Sequence, residues 1–251
     1  MLREDTVFGP IFSRRLGQSL GINLLPSKGK ICNFDCIYCE CGWNRDGKLD
    51  KEIPSRDEVR LRLEEALIRI SKEGTKVDSI TFSGDGEPTL NPEFPGIIDD
   101  TLMLRDRYLP GAKVSVLSNA TRVHIPEVFE ALKKVDSPIL KIDAPTTELA
   151  SRINRPAPGY ELERVVESLE KFEGDFILQT MFLRSPDFDS SSRDVLEGWK
   201  SIVRRLRPRE IMVYTIARPT PMQGLEKFSA ERMRELVGDL IGEGFNIVIT
   251  P

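Results

Sequence analysis

The chain has 251 residues, 39% of them hydrophobic and 30% charged, with a formal net charge of −4. That length suits one larger α/β domain or two small ones, with apolar residues enough for a sizeable core. The acidic balance gives no sign of a nucleic-acid partner, no run approaches a membrane span, and the charged start MLREDTVFGP lacks the apolar stretch of a signal peptide, so a cytoplasmic, reducing setting with no membrane partner is expected.

The first expected strand is GINLLP, and it leads into KICNFDCIYCECGW, which contains every cysteine of the chain: Cys32, Cys36, Cys39 and Cys41. A helix is expected from Ser55, with Val59, Leu63, Ala66, Leu67 and Ile70 on one face and Ser55 with Glu58 as a capping box. Strands follow at SITFSG, KVSVLSNA and ILKIDA, then a helix with Leu162, Val165, Val166, Leu169 and Phe172 at helical spacing. FILQTMFL reads as a strand, Arg204, Arg205 and Arg207 close a helix at its carbonyl end, and EIMVYTI is the next strand. A last helix places Met233, Leu236, Val237, Leu240 and Ile241 together, with Gly244 as its stop and FNIVIT as the final strand. No linker or composition shift marks a boundary, so a single domain over 1–251 is expected, with a core over about 18–220 and a C-terminal helix and strand over 228–251.

Alternating strands and helices mean a parallel sheet, doubly wound or rolled into a barrel. The period of two places Lys141 and Asp143 on one face of LKID, and Thr81 and Ser83 on one face of SITFS; Gln179 separates from Leu178 and Phe182. A doubly wound sheet asks for two apolar faces, whereas one polar strand face suits a lumen or cleft that handles a polar ligand. The expected fold is therefore α/β, a TIM-like barrel of parallel strands.

The thiols have the spacing C-x3-C-x2-C over Cys32, Cys36 and Cys39, in the loop after the first strand, on the face where barrel enzymes place their sites. Three thiolates from one loop match three irons of a 4Fe–4S cluster and leave a fourth iron without a cysteine. Cys41 stands too close to Cys39 to reach the opposite corner. Structural zinc competes for the same residues, but it favours paired C-x2-C sites and a second pair or a histidine nearby; the only histidine, His124, is distant in sequence. A redox dithiol of Cys36 and Cys39 would leave Cys32 without a purpose. A non-catalytic iron–sulfur or zinc protein is thus the alternative to an enzyme.

The segment C-x3-C-x-aromatic-C, with Tyr38 as the aromatic, resembles the cluster motif of the radical S-adenosylmethionine superfamily. The resemblance implies a partial (β/α)6 barrel, a 4Fe–4S cluster on Cys32, Cys36 and Cys39, and S-adenosylmethionine on the open iron. It also implies an external electron donor of the flavodoxin or ferredoxin kind, cleavage to a 5′-deoxyadenosyl radical, and hydrogen abstraction from a substrate. SGDGEPTL is similar to the superfamily's Gly-Gly-Glu segment, with Asp85 between the glycines. It implies that Glu87 accepts from the cofactor's ammonium and that Gly84 and Gly86 admit backbone close to it. Ser118 and Asn119 stand where the superfamily contacts methionine or ribose. Asp143 is placed for a ribose hydroxyl or the ammonium, or for an ion pair with Lys141, and Tyr38 for bordering adenine or packing.

VFGPIFSRRLGQSLGINLLP, FSGDGEPTLNP, KIDAP with RINRP, and YTIARPTP resemble the subgroup that includes the wyosine-type tRNA-modifying radical enzymes. Those enzymes use a second cluster and a lysine Schiff base. Here Cys41 alone is spare, and Lys141 beside Asp143 reads more simply as an ion pair. A tRNA substrate is not favoured, since no basic arm is present to neutralise phosphates; a peptide or protein and a small metabolite are the other classes. His124 reads as a surface or packing residue. Gln179, Met181, Tyr214, Arg155 and Arg218 fall at or near the active face, open to substrate contact or to local packing.

Overall fold

The computed structural model describes residues 5–27, 29–46 and 52–251. The chain divides into two compact units.

The first unit takes in Met1–Cys32, Asn44–Ser118 and Ile125–Pro138. It opens with a strand that the sequence reading did not anticipate: β1 (Val7–Ser13) runs antiparallel to β2 (Gly17–Ile22), with its register shifting between Phe8 and Ile11. Gly9 and Pro10 lie in that irregularity, and a proline without an N–H is tolerated there because the strand is at an edge. Beyond the hairpin the pairing becomes parallel, β2 to β3 (Ser79–Phe82) and β3 to β4 (Lys113–Ser118).

Helices α1 (Arg56–Glu73), α2 (Phe94–Tyr108) and α3 (Pro126–Lys134) complete this unit. All five apolar residues expected on one face of α1 are buried, and each of the four larger ones contributes about 1.5–3 kcal/mol by leaving water. Ser55 caps α1, its hydroxyl accepting from the Glu58 amide at 3.3 Å. Gly74 closes it in the left-handed region, φ 65°, where a side chain would be strained. The polar face of these strands is satisfied from within: Ser19 donates to Thr81 at 2.8 Å, and Ser79 bonds Thr81 at 2.9 Å and Ser115 at 2.8 Å. Thr81 therefore serves a buried hydroxyl ladder, where the sequence reading expected it to face a polar ligand.

The second unit takes in Asn33–Trp43, Asn119–His124 and Ile139–Pro251. Its elements are β5 (Ser137–Lys141) from Ile139 onward, α4 (Thr147–Ile153), α5 (Leu162–Glu170), β6 (Ile177–Met181), β7 (Leu183–Ser185), β8 (Phe188–Asp189), α6 (Arg193–Leu206), β9 (Glu210–Tyr214), β10 (Glu226–Lys227), α7 (Ala230–Leu236), α8 (Gly238–Gly242) and β11 (Ile247–Thr250). β5, β6, β9 and β11 pair in that order, all parallel. The short β7, β8 and β10 form a separate antiparallel sheet. The single C-terminal helix expected from sequence is two, broken at Val237, and Ile241 beyond the break is 42% exposed. The basic end of α6 is paired with carboxylates: Arg204 with Glu243 and Asp239, and Arg205 with Glu163 and Glu170. Among the described residues, no helix is long and apolar enough to cross a membrane.

Candidate functional site

The cysteine loop is held by backbone before any cofactor is considered. Within the second unit, the Asp35 amide donates to the Asn154 carbonyl at 2.9 Å, the Ile37 amide to the Ile153 carbonyl at 3.0 Å, and the Ala157 amide to the Asn33 carbonyl at 2.8 Å. These bonds fasten 33–37 along the RINRP segment. A turn follows, the Cys39 amide donating to the Cys36 carbonyl at 3.1 Å. From the segment after β9, the Met222 amide reaches the Ile37 carbonyl at 3.2 Å, and Arg218 donates to the Glu40 carboxylate at 2.6 Å. The Arg155 guanidinium lies over the Trp43 ring, 4.7 Å from its centroid. Arg155 and Arg218, open from sequence to substrate contact, therefore brace the loop. In the first unit, Asn44 donates to the Cys32 carbonyl at 3.0 Å.

Behind Cys36 and Tyr38 lies a buried polar network. The Tyr38 hydroxyl donates to Asp143 Oδ2. Asn154 Nδ2 donates to the same oxygen at 2.6 Å, and the Met181 amide donates to Asp143 Oδ1 at 2.8 Å. Lys141 Nζ stands 3.8 Å from Asp143 Oδ2 and donates to the Tyr38 hydroxyl at 2.9 Å and the Tyr214 hydroxyl at 2.7 Å. The strand alternation that placed Lys141 and Asp143 together holds, and both bind protein partners. Asp143 is the hub that orients Tyr38 and Asn154.

Electrostatics follow from burial. Desolvation works to neutralise Lys141, but Asp143, then Tyr214 and Cys36, outweigh it and raise its pKa, so the lysine stays an ammonium. The 3.8 Å approach of Lys141 to Asp143 is the ion pair that the strand spacing suggested. Burial, then the Asp143 charge, push the Tyr38 hydroxyl well above its ordinary range. Burial pushes the Cys36 thiol up to about 11, with Lys141 partly offsetting it. A bound metal displaces such a proton, because thiolate is the ligating form.

The SGDGEPTL segment belongs to the first unit. Gly84 packs against Asn23, where an added Cβ would lie 2.0 Å from the side-chain oxygen. Gly86, at φ +139°, passes the Ile31 carbonyl, which an added Cβ would meet at 1.8 Å. The Ile31 amide donates to the Asp85 carbonyl and the Glu87 amide to the Ile31 carbonyl, both at 3.1 Å. The glycines thus let this segment approach the protein's own chain just before Cys32. Glu87 caps a short 3-10 turn (Pro88–Leu90), its Oε1 accepting from the Thr89 amide at 3.2 Å, the Thr89 hydroxyl at 2.6 Å and the Ser118 hydroxyl at 2.8 Å. Two residues expected at the cofactor, Glu87 and Ser118, are therefore brought together. Asn119, in the second unit, donates to Asn33 at 2.6 Å.

His124 bonds the Thr121 carbonyl through Nδ1 at 3.0 Å, as a surface residue does. It borders a cleft of about 610 Å³ in the second unit, together with Asn33, Thr121 and Tyr160. Gln179 is buried, and its backbone carbonyl accepts from the Ile142 amide at 3.1 Å. The sequence reading missed Asn154, whose side chain reaches Cys36 Sγ at 3.4 Å as well as Asp143. Its only signal was membership of the RINRP segment.

The donor set fits an iron–sulfur group. None of the four cysteines is in a disulfide, and Cys36, Cys39 and Cys41 lie in the braced loop. A four-iron cluster asks for one thiolate per iron.

Residues 27–177, which include this loop and the Glu87 segment, match the model of the Radical SAM superfamily, and the chain belongs to that superfamily of enzymes. The family implies S-adenosylmethionine, an iron–sulfur cluster and an electron donor. More particularly, the chain is 31% identical over 223 residues to UPF0026 protein slr1464 of Synechocystis, covering 86% of this chain and 77% of that protein. It is 30% identical over 217 residues to UPF0026 protein MJ1312 of Methanocaldococcus jannaschii, covering 84% of this chain and 64% of the relative. The chain thus spans just under two thirds of that archaeal protein's length. Among solved structures, a radical SAM methyltransferase from Sphaerobacter thermophilus superposes with a TM-score of 0.69 at 16% identity, over 92% of this chain and 65% of that one. This likeness shows the fold alone, the mixed α/β partial barrel of mostly parallel strands that the sequence led us to expect.

Proposed function

We propose that the chain is a radical S-adenosylmethionine enzyme with one 4Fe–4S cluster on Cys32, Cys36 and Cys39. The observation that carries this reading is the C-x3-C-x2-C loop itself, three thiols outside any disulfide and inside the matched residues 27–177. When bound, the cluster and S-adenosylmethionine supply one-electron cleavage of the sulfonium and, from it, a 5′-deoxyadenosyl radical that takes hydrogen from substrate.

The chain's own residues bind and orient. The braced backbone of 33–37 sets where Cys36 and Cys39 present sulfur. Glu87 and Ser118, with Gly84 and Gly86 shaping the segment before them, form the binding group for the methionine end. Asn119 and Asp143 serve the ribose side, Asp143 chiefly by holding Tyr38 in place beside the adenine. Lys141 stays an ammonium between two tyrosine hydroxyls and neutralises Asp143. An external flavodoxin- or ferredoxin-like protein supplies the electron.

Anaerobic reconstitution tests this reading. The expected content is about four irons per chain, lost on changing Cys32, Cys36 or Cys39 to Ala and kept in Cys41→Ala. Loss on changing Cys41, or retention without Cys32, would show that the ligand set is different.

A further inference from the structure

Asn154 sits between two electron-rich groups. Its Nδ2 donates to Asp143 Oδ2 at 2.6 Å and lies 3.4 Å from Cys36 Sγ and 3.3 Å from the Tyr38 hydroxyl. An amide nitrogen carries two hydrogens, so one anchored on the carboxylate leaves the other for the sulfur side. The residue is fixed at both ends of its backbone. As the cap of α4 its amide donates to the Ala150 carbonyl at 2.7 Å, while its own carbonyl accepts from Asp35 in the cysteine loop at 2.9 Å. It is only 2% exposed, so water does not stand in for the amide if it is removed. Backbone bonds already fasten the loop to the residues around Asn154. A donor aimed at sulfur does something further.

We propose that Asn154 is a positioning residue for the iron–sulfur cluster: its amide holds the Cys36 sulfur and thereby sets how readily the cluster accepts an electron. This rests on the reading of Cys36 as a cluster ligand. Adding one electron increases the negative charge on the ligating sulfurs, so an N–H donor stabilises the reduced state more than the oxidised one. Without the donor the potential falls.

The test is spectroelectrochemical titration of the reconstituted cluster in the wild type, Asn154→Leu, Asn154→Ala and Asn154→Gln, with iron content measured alongside. Asn154→Leu should keep wild-type iron, yet show a ratio of reduced to oxidised cluster about tenfold lower at the wild-type midpoint, a shift of about 59 mV for one electron. Asn154→Ala should shift in the same direction, and Asn154→Gln, which retains an amide, should recover part of the loss. An unchanged potential in Asn154→Leu with full iron overturns the proposal. If Asn154→Leu takes up no iron, Asn154→Ala decides: a lowered potential supports the role and a wild-type potential overturns it. A wild-type chain that takes up no iron overturns the cluster reading itself, and this role with it.

Discussion

Replacing Asp143 by Ala is the sharpest probe of the buried network. The carboxylate side chain is fully buried, and the change removes the acceptor of the Tyr38 hydroxyl, the Asn154 amide and the Met181 amide together. It also strands Lys141, whose side chain is 15% exposed and whose ammonium lies 3.8 Å from the lost charge. Breaking a buried pair from one side costs about 3–5 kcal/mol, because the remaining charge is uncompensated. At about 2–4 °C per kcal/mol for chains of this order, Tm should fall by roughly 6–20 °C. Thermal and urea unfolding of the cluster-free protein measure this. Lys141→Met in the same chain removes the orphan, so the double variant should be more stable than the sum of the singles predicts, with a coupling of about 0.5–3 kcal/mol. A loss within about 0.5 kcal/mol, the range of an ordinary surface change, would refute the hub assignment, as would strict additivity.

Gly86→Ala would place a methyl carbon 1.8 Å from the Ile31 carbonyl in a backbone conformation closed to alanine, so it should lower Tm by several degrees and reduce iron uptake, whereas Gly111→Ala, with open space around it, should do neither. Asp136 gives a pH test. Burial opposes ionisation there, but the Val114 amide at 2.7 Å and the Arg105 guanidinium at 2.7 Å outweigh it and hold the carboxyl below its ordinary range. Its folded pKa is depressed, so its contribution is complete above the unfolded value of about 3.9 and is lost as pH falls through the folded value. Asp136→Asn should therefore flatten the acid limb of stability against pH below about 4, read by urea midpoints; an unchanged limb contradicts the assignment. Arg218→Ala removes the 2.6 Å bond to Glu40 and should speed air loss of the cluster, measured by its visible absorbance, with little change in Tm.

What the sequence made legible was what local spacing determines. Ser55 and the five apolar positions of α1 belong to one helix and its cap, and Lys141 and Asp143 stand two positions apart at the end of β5, so periodicity reached them. β1 escaped because Gly9 and Pro10 interrupt its alternation, and its pairing is visible only with β2 folded against it. The helix expected through Ile241 hid its break at Val237, since the apolar spacing continues unchanged into α8. At the site, the thiols announced themselves by being together. Asn154 did not, because its contacts with Cys36 and Tyr38 span 118 and 116 positions. Glu87 was read toward a ligand, and sequence could not show that its carboxylate also accepts from Thr89 and Ser118, since Ser118 lies 31 positions away.

The most direct measurement is product analysis after anaerobic reduction. Reconstituted protein given dithionite and S-adenosylmethionine should release 5′-deoxyadenosine and methionine, and protein with Cys32, Cys36 and Cys39 all changed to Ala should release neither. Protein that carries its full iron, reduces, and leaves S-adenosylmethionine intact would contradict the account.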